Sequence, residues 1–576
     1  MSTRAKTIVV VAGLFAAALG QFVLRWNRYA GLEVVDHVES VRESDGSSLD
    51  VSMQVYARPV GGGRLPGVVF VHGFMASHEL YEANYILPLA RSGYVVAAID
   101  VRGHGDTGGA MRFPRRFEPE GFKVLEKPEI LAAIQALRRR PDVDPARIAL
   151  VGHSMGGHAV TDAALLGADV GAVVAIAGIN GNGDWAKVPN YLFLNCAYDQ
   201  YISRERSLEL AQRFSGGMIT EAGQVVGRFE DGSARGLKIF PGCEHIMEVY
   251  HPGMSHAVMD WLDRSLGHRS QPPSVPAYVR AFARDWLGSG LTIAGVLAAA
   301  GALLWAWLAF LYRELERHFP HTAVRISGGR ISEAIQHELG PAEDTGDSGP
   351  LYLKLGMRLY LALWLAAPLL SVVLEPVLDH VPLALAGPVL AQFWAAGILF
   401  SVLWFLAVDE DNRAHQIECL IRGAGLRYLA AGVLFAAAVC GALALGLTGS
   451  ILDYWPTARK WGYSALMAGL LLPPLFVCQF SLKLAARRSA RTEKDRLFRE
   501  LVLHGTVPFA LAAGMALFRY RMMMPLEWLS AATAWWMGFL PFMMFRRDDE
   551  TPARVLSWAL IAGFALANLL PVRMWE

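Results

Sequence analysis

The chain has 576 residues, too long for one hydrophobic core and long enough for two domains. Hydrophobic residues make up 53% and charged residues 18%, which is apolar for a soluble protein. A formal net charge of +1 gives no reason to expect nucleic acid or another polyanion as partner.

An apolar run from Thr7 to Leu24 follows Arg4 and Lys6, the pattern of a signal anchor or a cleaved signal peptide. No convincing small-residue cleavage site follows it, which favours an anchor. Either form sends the next segment out of the cytoplasm. That segment opens with two expected strands, Val34 to Val41 and Val51 to Arg58. Short runs rich in Val and Ile follow at Gly67–Val71, Tyr94–Asp100, Arg147–Val151, Ala172–Ala177, Tyr191–Asn195 and Leu237–Phe240. Helical patterns such as Pro128–Arg139, Ser203–Phe214 and Ser255–Leu266 lie between them. This alternation predicts an α/β fold, a mostly parallel sheet covered by helices on both faces. Asp231–Gly232 lies between Val225–Phe229 and Ala234–Ile239 and predicts a small hairpin.

Ser270 to Pro276 reads as a linker, and Tyr278 to Trp286 as an amphipathic helix at a membrane surface. Eight further spans are expected near 288–312, 358–376, 384–408, 428–449, 463–484, 503–518, 526–545 and 555–572. Pro473–Pro474 should kink one of them, and Trp455 and Trp461 look like interface anchors. The organisation expected is therefore an anchor over residues 1–30, an α/β domain over 31–268, a linker and interfacial helix over 269–287, and an all-α membrane domain over 288–576. Lys and Arg set the orientation. Arg313, Arg317, Arg325, Arg330, Arg413, Arg422 and Arg427 fall in loops on one side. So do Arg487, Arg488, Arg491, Lys494, Arg496, Arg499, Arg546, Arg547 and Arg554. The other side holds only Arg459, Lys460, Arg519, Arg521 and Arg573. The expected location is a bacterial cytoplasmic membrane, with the α/β domain on its extracytoplasmic side. Span interiors carry almost no ionisable residues by this reading, with Glu375, Glu527 and His504 near span ends, which argues against an ion-coupled carrier.

Chemistry concentrates in the α/β domain. Gly152-His153-Ser154-Met155-Gly156 directly follows a strand and precedes a helical pattern, the context of a G-x-S-x-G nucleophile elbow. Small residues two before and two after the Ser relieve the clashes of so tight a turn. Ser at its free pKa is a poor nucleophile and needs a base with an orienting acid. Asp199 ends the strand at Tyr191–Asn195, and Asp184, on a looser loop, is its rival. His245 follows the last strand, and His251 and His256 compete with it. His153, His158 and His104 read as structural. Cys196 and Cys243 sit beside the acid and the base; outside the cytoplasm a disulfide between them is chemically allowed, and two buried free thiols is the alternative. Cys419, Cys440 and Cys478 lie in or beside apolar segments as ordinary apolar residues. No cysteine pair has metal-ligand spacing.

These residues resemble the α/β-hydrolase superfamily over roughly Val34 to Gly267. Val71-His72-Gly73-Phe74 is similar to its oxyanion H-G motif, and Asp100-Val101-Arg102-Gly103-His104-Gly105 to its structural D-x-R-G-H-G loop. The resemblance implies a triad of Ser154, Asp199 and His245 and an oxyanion hole from the backbone N–H groups of Phe74 and Met155. Only Ile179 to Pro189 separates two strands, too little for an inserted lid, which is similar to the dienelactone-hydrolase-like and peptidase-like branches. A membrane-anchored serine hydrolase acting on an ester, thioester or lipid acyl bond is implied, with membrane lipids as neighbours and no cofactor. An acyltransferase or membrane peptidase would use the same triad. The reading of another class is a transporter or sensor with a hydrolase-fold binding module.

Overall fold

The computed structural model describes residues 3–42, 46–59, 63–112, 127–180, 183–318, 351–407, 426–448, 457–489, 493–518, 524–545, 551–571 and 573–574. Cys419, Trp455 and the loop residues Arg325, Arg330, Arg413, Arg422, Arg491, Arg519, Arg521, Arg546 and Arg547 lie outside them.

The first half is built on strands β1 (Glu33–Arg42), β2 (Ser48–Ala57), β3 (Leu65–Val71), β4 (Val95–Ile99), β5 (Met111–Arg112), β6 (Val143–His153), β7 (Ala172–Ile176), β8 (Tyr191–Cys196), β9 (Val225–Val226) and β10 (Arg235–Phe240). Nine of them form one sheet in the order β1-β2-β4-β3-β6-β7-β8-β10-β9. Strands β4, β3, β6, β7, β8 and β10 are parallel neighbours, while β1, β2 and β9 pair antiparallel at the edges. The hairpin expected around Asp231–Gly232 is the β9–β10 pair.

Central strands read as unbroken apolar runs because both faces are covered. Val69, Val71, Ile148 and Leu150 join one core, under helices α3 (Lys127–Arg139), α4 (Met155–Leu165) and α5 (Arg204–Phe214). Their alternates Val68, Phe70, Ala149 and Val151 join a second core, under α2 (Leu87–Arg91) and α6 (Pro252–Leu266). This period of two is the pleat itself. The arrangement is the α/β-hydrolase fold expected from the sequence.

Before this domain runs α1 (Thr3–Arg25), and after it α7 (Val275–His318), α8 (Leu351–Leu378), α9 (Ala386–Ala407), α10 (Leu426–Leu447), α11 (Ala458–Ser489), α12 (Glu493–Phe518), α13 (Met524–Trp536), α14 (Phe539–Met544) and α15 (Thr551–Leu569). Eight of these helices, α1 included, are long and apolar enough to cross a membrane. The expected span at 526–545 is not among them, because Met537 and Gly538 interrupt it between α13 and α14. Nor is there a separate interfacial helix at Tyr278 to Trp286. Those residues fall in the first turns of the 44-residue helix α7, which runs on through Gly288-Ser289-Gly290, where Gly288 packs against Leu24 and Gly20 of α1. Helix α11 continues through Pro473–Pro474. Trp461 is exposed at its start, as an anchor should be.

Helices α1 and α7 meet through glycines. A Cβ on Gly13 would lie 2.7 Å from the Gly295 carbonyl oxygen, and one on Gly20 2.6 Å from that of Gly288. Small residues let the backbones approach to this distance. Ionisable residues at the ends of the expected spans, and just beyond them, are drawn into the helical packing. Lys483, Arg496, Glu500, His504, Glu527 and Arg554 are all buried within the helical region. Arg496 and Arg554 bond opposite oxygens of Glu500, at 3.0 and 3.4 Å. Helix α12 begins ten residues before the expected span, at Glu493. In its first turns Arg496 and Glu500 face the protein and pair there, while Lys494 and Phe498 are exposed.

Several contacts fix the α/β domain on the helices. Arg28, just past α1, is buried between Glu82 and Asp285 of α7, bonding them through Nε and Nη1 at 2.8 Å each. On the other side Arg459 Nη1 donates to the Gly109 carbonyl at 2.7 Å. There β5 also pairs with β11 (Arg573–Met574).

Candidate active site

Ser154 sits between β6 and α4 with φ 53° and ψ −115°. A non-glycine residue keeps such a conformation only where its surroundings impose it. The flanking glycines are required by contact. A Cβ on Gly152 would lie 2.2 Å from the Gly156 carbonyl oxygen, and one on Gly156 2.2 Å from that of Val71. Met155 opens α4, so its backbone N–H stands at a helix N-terminus directly after the Ser. Phe74 follows Gly73, where a Cβ would come within 3.3 Å of the Ser154 Cβ. Met155 therefore adjoins Ser154 in sequence, and Phe74 adjoins Gly73, which packs against Ser154.

His245 and Asp199 come to the same place from the ends of β10 and β8. His245 Nε2 is 2.9 Å from Ser154 Oγ, and its Nδ1 is 2.7 Å from Asp199 Oδ2. The other oxygen of Asp199 accepts from the N–H groups of Tyr201 and Ile202 at 2.6 and 2.8 Å. The Tyr201 ring stands edge-on to the His245 imidazole, 4.7 Å between centroids. Cys196 and Cys243 are joined in a disulfide, with Cα atoms 5.3 Å apart. The alternative of two buried thiols is thereby corrected, and the strand end of the acid is tied to the loop of the base.

The rival residues are engaged elsewhere. Asp184 caps a short turn by accepting from the Ala186 N–H. His251 caps α6 by accepting from the Met254 N–H. His256 bonds the Pro273 carbonyl at 2.8 Å, and His158 pairs with Asn180 at 3.1 Å. His104 supports the oxyanion loop, accepting from the Met75 N–H at 3.3 Å. Burial holds its pKa well below the ordinary histidine value, with His72 adding to the effect. A neutral ring fits that role, with Nδ1–H free to donate to the Arg102 carbonyl 3.2 Å away.

Three residues behind the site went unnoticed or unexplained in the sequence. Glu248 is fully buried and accepts from the Cys196 N–H at 2.8 Å. Its second oxygen is 3.2 Å from His153 Nε2. His153 Nδ1 is 2.8 Å from the Tyr81 hydroxyl, which accepts from the Gly73 N–H at 3.0 Å. The chain Glu248–His153–Tyr81–Gly73 thus backs the acid strand, the elbow and the oxyanion strand together. The position of Glu248 three residues after His245, one helical turn away, was the available signal. His153, His245 and Glu248 also bring two imidazole nitrogens and a carboxylate oxygen within 4.8 Å of one another. The hydrogen bonds to Ser154, Asp199, Tyr81 and Cys196 already occupy those atoms, so the donor set reads as a hydrogen-bond network.

Residues 66–202 match the family described as Hydrolase_4, serine aminopeptidase, S33. The matched segment holds Ser154 and Asp199 and ends before His245. Among solved structures, the chain is similar to the Pyrococcus furiosus esterase Pf2001 at 17% identity, covering 41% of this chain and 94% of that one, with a TM-score of 0.30. It is similar to the hypothetical protein PA2218 of Pseudomonas aeruginosa at 15% identity, covering 41% and 95%, with a TM-score of 0.30. It is also similar to a putative dienelactone hydrolase of Klebsiella pneumoniae at 17% identity, covering 40% and 99%, with a TM-score of 0.29. No curated protein matches the chain.

Proposed function

We propose that this protein is a membrane-anchored serine hydrolase with its α/β domain on the extracytoplasmic side, cleaving an acyl ester or thioester through an acyl-enzyme on Ser154. The observation that carries the reading is the unbroken chain from Ser154 Oγ to His245 to Asp199 at 2.9 and 2.7 Å. As the Oγ–carbonyl carbon bond forms, the Ser154 proton passes to His245 Nε2. Asp199 stabilises the resulting imidazolium and holds its ring in place. The Phe74 and Met155 N–H groups receive the oxyanion. His245 then returns the proton to the departing alcohol or thiol as its bond to carbon breaks. Water repeats the two transfers, leaving the carboxylic acid and free Ser154. The disulfide supports the extracytoplasmic side, since such bonds persist in oxidising compartments.

The test is labelling by a fluorophosphonate in native membranes, wild type beside Ser154→Ala. Labelling of the wild type alone is expected. Equal labelling of both, or of neither when both are folded, would sink the reading. A second reading, amide cleavage, is favoured by the serine aminopeptidase description of the matched family. Aminoacyl amides assayed beside esters separate the two, because a peptidase would turn over the amides.

A further inference from the structure

The loops that bear the site are the same loops that meet the membrane helices. The oxyanion loop after β3 and the loop after β4 form one wall of a cleft through Met75, Ser77 and His104. Lys460 and the stretch Asn568–Pro571 form the opposite wall. Lys460 lies in the first turn of α11, beside the exposed Trp461, and Asn568–Pro571 ends α15. The oxyanion loop thus rests on the ends of two spans. A tryptophan exposed at a span end marks the headgroup level of a bilayer. Exposed Trp26, at the end of α1, and Trp286, in α7, stand on the other side of the domain. Arg28, between those two, bonds Glu82, which lies on the segment after β3.

The remaining rim of the site leads to the same level. His245 opens a helical turn that runs to Tyr250, whose ring stacks edge-on with Phe282 of α7 at 5.4 Å. Within that turn Ile246 and Met247 are exposed, as is Tyr198 beside Asp199. Apolar side chains at the mouth of a polar site are costly in water and favourable against acyl chains.

We infer that the substrate is a bilayer-resident acyl lipid whose ester is presented at headgroup level and enters laterally from the leaflet in which the protein sits. This rests on the serine-hydrolase reading above and names its substrate class. An ester carbonyl of a glycerophospholipid lies at the boundary between headgroup and acyl chain, the depth at which the helix ends hold the Phe74–Ser77 loop. The chemistry is the hydrolysis already described: the acyl C–O bond is exchanged for the Ser154 ester, and water then releases the fatty acid.

The test uses the full chain reconstituted into phosphatidylethanolamine and phosphatidylglycerol vesicles that carry a trace of phosphatidylglycerol with a fluorescent acyl chain. A second preparation keeps the fluorescent lipid in separate, protein-free vesicles. A soluble nitrophenyl ester and the fluorophosphonate are run in parallel. Release of the fluorescent acid is expected at least tenfold faster when lipid and protein share a bilayer. It should vanish in Ser154→Ala. An Ile246→Glu/Met247→Glu variant, still labelled by the fluorophosphonate, should show at least a tenfold fall in the ratio of lipid to soluble-ester turnover. Turnover of the soluble ester with no lipid cleavage overturns the lipid assignment and leaves the hydrolase standing. Equal rates on shared and separate vesicles overturn the lateral route. Absence of labelling and of all turnover overturns both.

Discussion

Glu248 Oε2 lies 4.0 Å from His245 Nδ1, the nitrogen that Asp199 bonds at 2.7 Å. Two carboxyl groups thus share the rear of one imidazole. Burial pushes the Glu248 carboxyl well above its ordinary value of 4.5, the charges of Asp199 and Glu244 add to this, and the Cys196 N–H opposes it. A carboxyl raised in the folded state stabilises the fold below its unfolded pKa, and that contribution is lost as pH rises toward the folded value. Gln is isosteric with the neutral acid and does not titrate. The melting temperature of Glu248→Gln relative to wild type should therefore climb between about pH 5 and about pH 8. A difference that stays flat or falls would show that Glu248 is ionised in the fold. Glu248→Ala strands the Cys196 N–H and His153 and should cost about 1–3 kcal/mol.

The disulfide gives a second expectation. Cys196 and Cys243 are 47 residues apart, and closing such a loop removes unfolded-chain entropy equivalent to about 4 kcal/mol. Cys196→Ser/Cys243→Ser should lower the unfolding free energy of the α/β domain by about 2–4 kcal/mol. It should also lower kcat more than it raises KM, because the bridge ties the Asp199 strand end to the His245 loop rather than shaping the mouth. Denaturation curves and ester kinetics on the same preparation check both parts. An unchanged kcat in a destabilised variant would confine the bridge to stability.

Ser154 was readable because its constraint is local: Gly152, Gly156 and the preceding strand are all within a few residues. Asp199 and His245 were implied by the chain order of the superfamily that the motifs resemble, each in the loop after a strand. Glu248 and Tyr81 were not singled out, since their partners come from separate strand ends and only folding brings them to the elbow. The helical region was less legible for a related reason. Hydropathy averages over windows, so it joined α13 and α14 across Met537–Gly538. It also placed the start of a span at residue 503, although helix α12 begins at Glu493 with Arg496 and Glu500 buried. Charge paired inside protein is invisible to a scale that prices each residue alone. That buried cluster weakens the uncharged-span argument against a transport role, so the case for an enzyme stands on the Ser154 site.

Arg28 carries a third prediction. Its guanidinium lies between Glu82 and Asp285, with side-chain exposure of 2%, 1% and 5% for the three residues. Removing the cation leaves Asp285 to Arg284 alone and Glu82 to the hydroxyls of Tyr29 and Tyr56, and breaking a buried pair in this way typically costs about 3–5 kcal/mol. Arg28→Met should lower the melting temperature in detergent, and Glu82→Gln/Asp285→Asn in the same background should recover part of the loss. Failure of that second pair to recover any stability would mean that Arg28 acts by packing alone. The glycine contact of α1 with α7 leads further to the expectation that α1 is retained in the mature protein. A tag placed before Thr3 should remain on the membrane-bound enzyme.

The last prediction concerns sides. The stretch Asn568–Pro571 lines the cleft beside Met75 and Ser77, and β11 pairs with β5, so the chain ends on the side that holds the α/β domain. If α1 crosses the bilayer, its start is on the opposite side. An odd number of crossings must then separate the two ends. Among the described residues eight helices are long enough to cross alone, an even number. The broken pair α13–α14 must supply the ninth, its interruption at Met537–Gly538 covered by protein. Trp558 of α15 does this covering: a Cβ on Gly538 would lie 2.4 Å from its ring. Buried in protein, irregular backbone is tolerated at membrane depth. A periplasmic-active phosphatase fused after Glu576 should therefore be active, and a fluorescent protein that matures only in the cytoplasm should stay dark there. The same two reporters inserted between Glu343 and Gly349 should give the reverse. A fluorescent C-terminal fusion would mean an even number of crossings, and the contact of Asn568–Pro571 with the oxyanion loop could not exist in the membrane.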